Sequence, residues 1–450
     1  MTTEDSARSL RPTPTVVIVG RPNVGKSTLF NRLVGERKAL VHNLPGVTRD
    51  RNMSLAEWDG ILFRIVDTGG ILGEREDPLV SMVEEQVGIA LEGGDIILLV
   101  TDSQDGLMPV DEELAARLRR SGKPAALVVN KVDVQKHEDR VHEFHGLGLQ
   151  PLYPVSAEHG GGVEALASFL TACAADLEPS ADRGSPDAGD AIKVAIVGKP
   201  NVGKSSILNR LIGEERALVS DLPGTTRDPV DSLVVSGDDR ILLVDTAGLR
   251  RKSRTERGAE MLSMLLARRS LESCRVALLV LDASRPPSHQ DMHIAGMVEG
   301  SLRAGAILLN KWDLVRGPQQ AKEREEEIRD RFAFVNYLPV LRVSAKTGRN
   351  VDAILPVARD IHGRYVQDMP TSRLNETLQF LVRRTPPPAV RNKELKIRYG
   401  TQTGHAPPIL TLFTNSRYPP PRHYSRYLKK GLRKAFDLEG SPLVLKFRRE

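Results

Sequence analysis

Short, almost unbroken apolar runs recur along the chain, each stopped by glycine or a polar turn. Val16–Val19, Phe63–Val66 and Ala126–Val129 have counterparts in Val194–Val197, Ile241–Val244 and Ala306–Leu309. Apolar runs without polar alternation are the pattern of strands buried on both faces, and stretches of helical periodicity separate them. Strands alternating with helices predict an α/β fold with a mostly parallel sheet under helices on both faces, built twice. Polar turns at Asp59-Gly60 and Gly237-Asp238 precede the Asp-ended run of each half, so each sheet is expected to carry one antiparallel edge hairpin.

The first run of each half opens into a glycine loop. Gly20-Arg21-Pro22-Asn23-Val24-Gly25-Lys26-Ser27 and Gly198-Lys199-Pro200-Asn201-Val202-Gly203-Lys204-Ser205 both fit G-x-x-x-x-G-K-[ST], in the order strand, loop, helix that a phosphate-cradling P-loop requires. The glycines let backbone N–H groups close around phosphates. Lys26 and Lys204 would neutralise the β- and γ-phosphates, Ser27 and Ser205 would bind Mg²⁺, and Thr28 and Ser206 complete the loop. Two copies with matching flanks predict two nucleotide sites.

The base is read further along, at Asn130-Lys131-Val132-Asp133 and Asn310-Lys311-Trp312-Asp313. A carboxylate there accepts hydrogen bonds from the guanine ring N–H and exocyclic amine, whereas adenine would leave it unpaired. Asn130 and Asn310 are expected on the other edge of the base. A backbone N–H in Ser156-Ala157-Glu158 and in Ser344-Ala345-Lys346 is expected at the guanine carbonyl oxygen. GTP and GDP are the expected ligands.

Between loop and base reader lie the candidate sensors of the third phosphate. Asp67 and Asp245, in Asp67-Thr68-Gly69-Gly70 and Asp245-Thr246-Ala247-Gly248, would hold Mg²⁺ through water, with Gly70 and Gly248 offering N–H to the γ-phosphate. Thr48 and Thr226, in Pro45-Gly46-Val47-Thr48-Arg49-Asp50 and Pro223-Gly224-Thr225-Thr226-Arg227-Asp228, are the switch candidates that would also meet the metal, with Thr225 a competitor. The offset between copies is 178 residues at Lys26/Lys204 and Asp67/Asp245, 180 at Asn130/Asn310 and 188 at Ser156/Ser344. The drift falls after the base reader, where surface loops tolerate insertion.

Ras-like enzymes carry a water-positioning Gln after D-T-x-G; this chain has Ile71 and Leu249, so slow intrinsic hydrolysis is expected. Asn23 and Asn201 could help hold a monovalent cation beside the phosphates, or could simply shape the loop. The catalytic candidates are thus Asn23, Lys26, Thr48 and Gly70, with Asn201, Lys204, Thr226 and Gly248.

Tandem N-x-V-G-K-S loops, P-G-x-T-R-D segments, D-T-x-G followed by a hydrophobic residue, and a basic tail resemble the EngA (Der) family, over residues 15–450. That is the bacterial double-GTPase family associated with assembly of the large ribosomal subunit. The resemblance implies two Ras-like GTPase domains, a KH-like final domain, K⁺-stimulated hydrolysis, and partners in the large ribosomal subunit and rRNA.

Charge is uneven. Residues 371–450 hold 17 Lys and Arg against 5 Asp and Glu, +12, within a chain of net +6, so the rest carries −6. So basic a segment points to an anionic partner through phosphate neutralisation. Helices over Leu374–Val382 and Tyr424–Phe436, and strands over Leu395–Tyr399, Ile409–Phe413 and Leu443–Phe447, give α-β-β-α-β, an order compatible with a KH-type unit. The G-x-x-G clamp of such units is missing; Gly400 and Gly404 are expected in the connection between strands. Shape and phosphate contacts on folded RNA are therefore expected, with Arg422, Arg426, Lys429, Lys430, Arg433 and Lys434 as the contacts. The basic run Arg250–Arg254 after the second D-T-A-G could couple nucleotide state to RNA.

Two cysteines, Cys173 and Cys274, have neither disulfide-framework nor metal spacing and fit a reducing compartment. No apolar run approaches membrane-spanning length and the N-terminus lacks a secretory core. A cytoplasmic monomer that does not engage membranes is expected, with a disordered 1–14, GTPase domains at 15–177 and 192–367, a linker at 178–191 and the basic domain at 370–450. The alternative is an RNA-binding scaffold whose GTP is structural and slowly hydrolysed.

Overall fold

The computed structural model describes residues 13–35, 52–69, 79–133, 140–177, 191–213, 231–236, 239–244, 256–389 and 393–449. They fall into two compact units, one spanning 1–183 with 251–266, the other 184–250 with 267–450.

In the first unit the chain runs through β1 (Thr15–Val19), α1 (Lys26–Gly35), β2 (Met53–Trp58), β3 (Ile61–Asp67), α2 (Leu79–Gly93), β4 (Ile96–Asp102), α3 (Pro109–Ser121), β5 (Ala125–Asn130), β6 (Leu152–Pro154) and α4 (Val163–Asp176). The sheet order is β2-β3-β1-β4-β5-β6, with only the β2–β3 pair antiparallel. Alternate residues of β1 enter different cores: Val16 and Ile18 pack with α1 and α4, Val17 and Val19 with α2 and α3. Both faces are thus covered, as the unbroken apolar runs require. The hairpin turns at Asp59 and Gly60, both at positive φ.

The plan recurs along the second half of the chain with β7 (Ile192–Val197), α5 (Lys204–Gly213), β8 (Ser232–Ser236), β9 (Asp239–Val244), α6 (Glu256–Ser273, whose residues up to 266 belong to the first unit), β10 (Val276–Asp282), α7 (His289–Gly300), β11 (Ala304–Asn310), α8 (Gly317–Arg331), β12 (Val340–Arg342) and α9 (Ile354–Val366). Its order, β12-β11-β10-β7-β9-β8, is that of the first sheet read from the other edge. The turn expected at Gly237-Asp238 lies outside the described residues, but β8 and β9 pair antiparallel on either side of it.

The chain then adds α10 (Thr371–Arg384), β13 (Ile397–Gly404), β14 (Ile409–Thr414), α11 (Arg422–Ala435) and β15 (Val444–Arg449), the expected α-β-β-α-β order. β14 pairs antiparallel with β13 and parallel with β15. Gly400 and Gly404 lie within β13 and not in the connection after it. A Cβ on Gly400 would come within 2.7 Å of both Leu378 and Leu412, so this glycine serves helix-on-sheet packing. The module is fastened to the second GTPase domain: Gly305 N–H donates to Gly440 O (2.8 Å), Gly440 N–H to Tyr337 O (2.6 Å), and Arg364 pairs with Asp437 (3.0 Å).

Candidate nucleotide sites

At the end of β1 the chain turns through Asn23 at φ +66° and Gly25 at φ +91°; at the end of β7 it repeats this with Asn201 at +63° and Gly203 at +98°. Asn is among the few side chains that tolerate the left-handed region, so Asn23 and Asn201, both with exposed side chains, suit the shape of the loop. A Cβ on Gly25 would sit 2.2 Å from the Asn130 side-chain nitrogen, and one on Gly203 would sit 2.2 Å from that of Asn310. Only glycine lets the loop approach the base-reading segment so closely.

Both loop lysines are curled over their own loops. Lys26 Nζ donates to the carbonyls of Gly20 (2.9 Å) and Arg21 (2.6 Å), and Lys204 Nζ to those of Gly198 and Lys199 (2.7 Å each). Burial lowers each ammonium to about 8, an effect that the Asp67 carboxylate partly opposes at Lys26. An ammonium so poorly solvated favours an arriving anion.

Beside Lys26, Ser27 Oγ donates to Asp67 Oδ2 at 2.5 Å, while Asp67 Oδ1 accepts the Gly69 N–H at 2.8 Å. A hydroxyl and a 3% exposed carboxylate side by side form the hard-oxygen set that suits Mg²⁺, so these residues fit the ion. Ser205 is the second residue of the matching helix. Thr48, Gly70, Ile71, Thr226, Asp245, Gly248, Leu249 and the basic run Arg250–Arg254 lie outside the described residues.

The base-reading segments show what sequence reasoning missed. Asn130 Nδ2 donates to Val24 O (2.8 Å) and its Oδ1 accepts the Ala157 N–H (3.0 Å); Asn310 does the same with Val202 O (2.8 Å) and Ala345 N–H (3.0 Å). Each buried amide ties the phosphate loop to both base-reading loops, so the motif's Asn works inside the protein and is not simply laid against the base. The Ala157 and Ala345 N–H groups, expected at the guanine carbonyl, are held by these amides. Asp133 and Asp313 are exposed, as a base-reading carboxylate must be; each accepts a bond from its serine, Ser156 and Ser344 (2.6 Å for the latter). Lys131 and Lys311 pair with Asp102 (2.6 Å) and Asp282 (2.7 Å) at the ends of β4 and β10.

Further residues brace the loops. Arg32 of α1 reaches the carbonyls of Ala157 and Glu158, and Arg210 of α5 those of Ala345 and Lys346. These bonds go to backbone, so Glu158 in place of Lys346 changes nothing in them. Arg21 meets Asp105 (2.8 Å) and Asp111 (3.5 Å), and Lys199 meets Asp291 (2.6 Å). Asp111 accepts the Met108 N–H at the start of α3 and Asp291 closes the Ser288 capping box of α7, which fixes both in the first helical turn. The signal was available: Arg32/Arg210 keep the 178-residue offset and Asp111/Asp291 the 180-residue one. Gln86 of α2 adds a contact in the first site. Its Oε1 accepts the Gly20 N–H at 2.9 Å, while position 264 is Met.

The six basic candidates of α11 divide. Arg422, Arg426, Lys430 and Lys434 are exposed. Arg433 instead lies 4.3 Å over the Tyr337 ring, and Lys429 is half-buried near Glu299, with its ammonium lowered by burial first and by Arg433 second. Both turn toward the second GTPase domain because they sit one helical turn apart on the face that docks there. They are docking residues, which corrects the expectation that they meet RNA.

The family described as "50S ribosome-binding GTPase" matches residues 15–131 and 193–311, and "KH-domain-like of EngA bacterial GTPase enzymes, C-terminal" matches 369–448. The GTPase Der of Moorella thermoacetica is 46% identical over 439 residues, covering 97% of this chain and 99% of that protein. The GTPase Der of Syntrophobacter fumaroxidans is 44% identical, covering 96% and 97%. Among solved structures, a probable GTP-binding protein engB aligns with 36% of this chain and 99% of its own at 25% identity and a TM-score of 0.28, a likeness too slight to carry weight.

Proposed function

The chain belongs to the EngA (Der) family of tandem-domain GTPases, and on that premise we propose that it times assembly of the large ribosomal subunit by binding and hydrolysing GTP at two sites. The observation that carries the reading is the joining of a duplicated nucleotide site to a docked basic module. Three functional parts follow, at 15–177, 192–367 and 370–450.

In each site the loop N–H groups and the lysine receive the β- and γ-phosphates, and the exposed Asp133 or Asp313 selects guanine. Mg²⁺ held near Ser27 and Asp67 would offset charge on the phosphate oxygens. Asn23 and Asn201 would help hold a K⁺ ion that supplies further charge as hydrolysis proceeds, and Thr48 and Thr226 would be ordered by the γ-phosphate. GTP favours an arrangement of the domains that grips the subunit precursor through rRNA, and hydrolysis releases it. Arg422, Arg426, Lys430 and Lys434 form the exposed basic row for that contact. The protein acts as a cytoplasmic monomer; among the described residues no helix is long and apolar enough to cross a membrane.

The test is co-sedimentation with purified ribosomal subunits in K⁺ buffer, in GDP and in a non-hydrolysable GTP analogue, beside a variant with those four residues changed to Ala. GTP-dependent binding to the large subunit that the variant loses is the expected result. Binding indifferent to nucleotide would refute the timing role, and binding to neither subunit would refute the ribosomal target.

A further inference from the structure

The sheet of the C-terminal module has two unlike faces. Gly400, Leu410, Leu412, Leu445 and Phe447 turn inward against α10 and α11. The residues between them turn outward. Tyr399 on β13, 40% exposed, stacks on Phe413 of β14 with ring centroids 4.5 Å apart and planes 14° from parallel. The register extends this row to Arg448 on β15, and the next row runs Thr401, Thr411, Lys446. Arg448 and Lys446 are exposed, and neither has an ion-pair partner among the described residues.

This row lies outside the core of the module, which is on the opposite face. Two near-parallel rings leave one π-face each turned away from the other, and any unpaired base can extend the column irrespective of its identity. Cations stand one and two strand spacings from the rings, about 5 and 10 Å, within reach of the phosphates on either side of a stacked nucleotide. Lone hydrophobic anchors would suit a protein partner equally well. Flat stacked rings beside unpaired cations, in a segment of charge +12, favour a polyanion with flat bases.

We propose that this open sheet face is a single-stranded RNA platform, on which an unpaired base continues the Tyr399–Phe413 stack while Lys446 and Arg448 take the adjoining phosphates. The inference rests on the reading that the C-terminal module contacts RNA, and it places a second contact on the sheet, apart from the basic row of α11.

The test uses the full-length protein and fluorescein-labelled ten-nucleotide oligo(U) and oligo(A), with binding read by anisotropy. Tyr399→Leu with Phe413→Leu should weaken binding roughly 5- to 150-fold, Tyr399→Phe should not, and unchanged thermal unfolding should accompany both. Lys446→Ala with Arg448→Ala should flatten the plot of log affinity against log salt by about 1.4, the value for two single-strand phosphates. In Tyr399→Trp, added RNA should quench the new indole relative to the unchanged Trp58 and Trp312 background. Oligonucleotide binding that survives Tyr399→Leu/Phe413→Leu but falls with Arg422→Ala/Arg426→Ala/Lys430→Ala would overturn the platform and leave the RNA reading standing. Subunit binding that needs Tyr399 and Phe413 while neither oligonucleotide binds would assign the face to a protein or duplex partner, again overturning it. Binding to neither subunits nor oligonucleotides would sink both readings together.

Discussion

Replacing Asn130 or Asn310 by Ala should unfold a domain more easily, not merely loosen its grip on a base. In Asn130→Ala the Val24 carbonyl and the Ala157 N–H both lose their partner, at a residue only 2% exposed. Each orphaned buried group costs about 1–3 kcal/mol, so the pair costs about 2–6 kcal/mol. That is a large share of the roughly 5–15 kcal/mol that holds a domain together. Asp133→Asn provides the contrast: it keeps an oxygen for the Ser156 hydroxyl at an exposed position, so stability should stay within about 0.5 kcal/mol while guanine affinity collapses. The chain's two tryptophans separate the domains, Trp58 in β2 and Trp312 beside Asp313, both buried. In a Trp312→Phe background, urea unfolding followed through Trp58 should show a lower midpoint for Asn130→Ala and an unmoved one for Asp133→Asn. Asn310→Ala and Asp313→Asn should behave alike when followed through Trp312 in a Trp58→Phe background. An Asn130→Ala midpoint equal to that of its parent would refute the clamp.

Gly25→Ala and Gly203→Ala force a Cβ within 2.2 Å of a buried amide at positive φ; each should abolish nucleotide binding at its own site by equilibrium dialysis and leave the other site intact. Gln86→Leu should weaken nucleotide binding roughly 5- to 150-fold at the first site, where its side chain holds the first loop N–H, and titration of single-site proteins checks it. Lys26 and Lys204, held near 8 by burial, are charged below that pH, so nucleotide binding should take up no proton at pH 7 and close to one per site at pH 9. Calorimetry in two buffers of different ionisation heat reads this. The same depression below 10.5 means that the burial penalty on folding is full below pH 8 and fades as pH rises from 8 to 10.5. Gly440→Ala would set a Cβ 2.7 Å from Ile361 and 3.0 Å from Gly305 O at φ +77°, so it should loosen the module and speed limited proteolysis between residues 367 and 371.

What could be read before folding was whatever depends on neighbours in sequence. Val16–Val19 and Val194–Val197 announce buried strands because every residue in them is apolar, and the glycine loops announce themselves because turn geometry restricts residue type locally. The use of Asn130 could not be read, because its partners Val24 and Ala157 are 106 and 27 residues away and the motif gives no hint that both bonds close inside the protein. Lys429 and Arg433 misled for the opposite reason. Their charge is visible in sequence, but which face of α11 meets Tyr337 and Glu299 depends on how the module docks.

The docking itself constrains how nucleotide state can reach the module. β11 is fully buried along Ala304–Asn310, and one strand serves both ends: Gly305 at its start bonds Gly440 of the module, and Asn310 at its finish clamps the second phosphate loop. Five steps of strand, from Gly305 to Asn310, span about 17 Å, so nucleotide site and module share one strut. A strut paired with β10 along Ala304–Asn310 and with β12 at Ile307–Leu309 fixes where the module sits, whereas a switch needs an element with two arrangements. The module is therefore placed by β11, and the nucleotide signal of the proposed function would have to reach it through another element. The segments after β9 and between α5 and β8 carry Gly248 and Thr226, the residues that on the proposed reading would meet a third phosphate. Variants that break the Gly305–Gly440 bond should then alter where the module stands in every nucleotide state alike, leaving the difference between GTP and GDP intact.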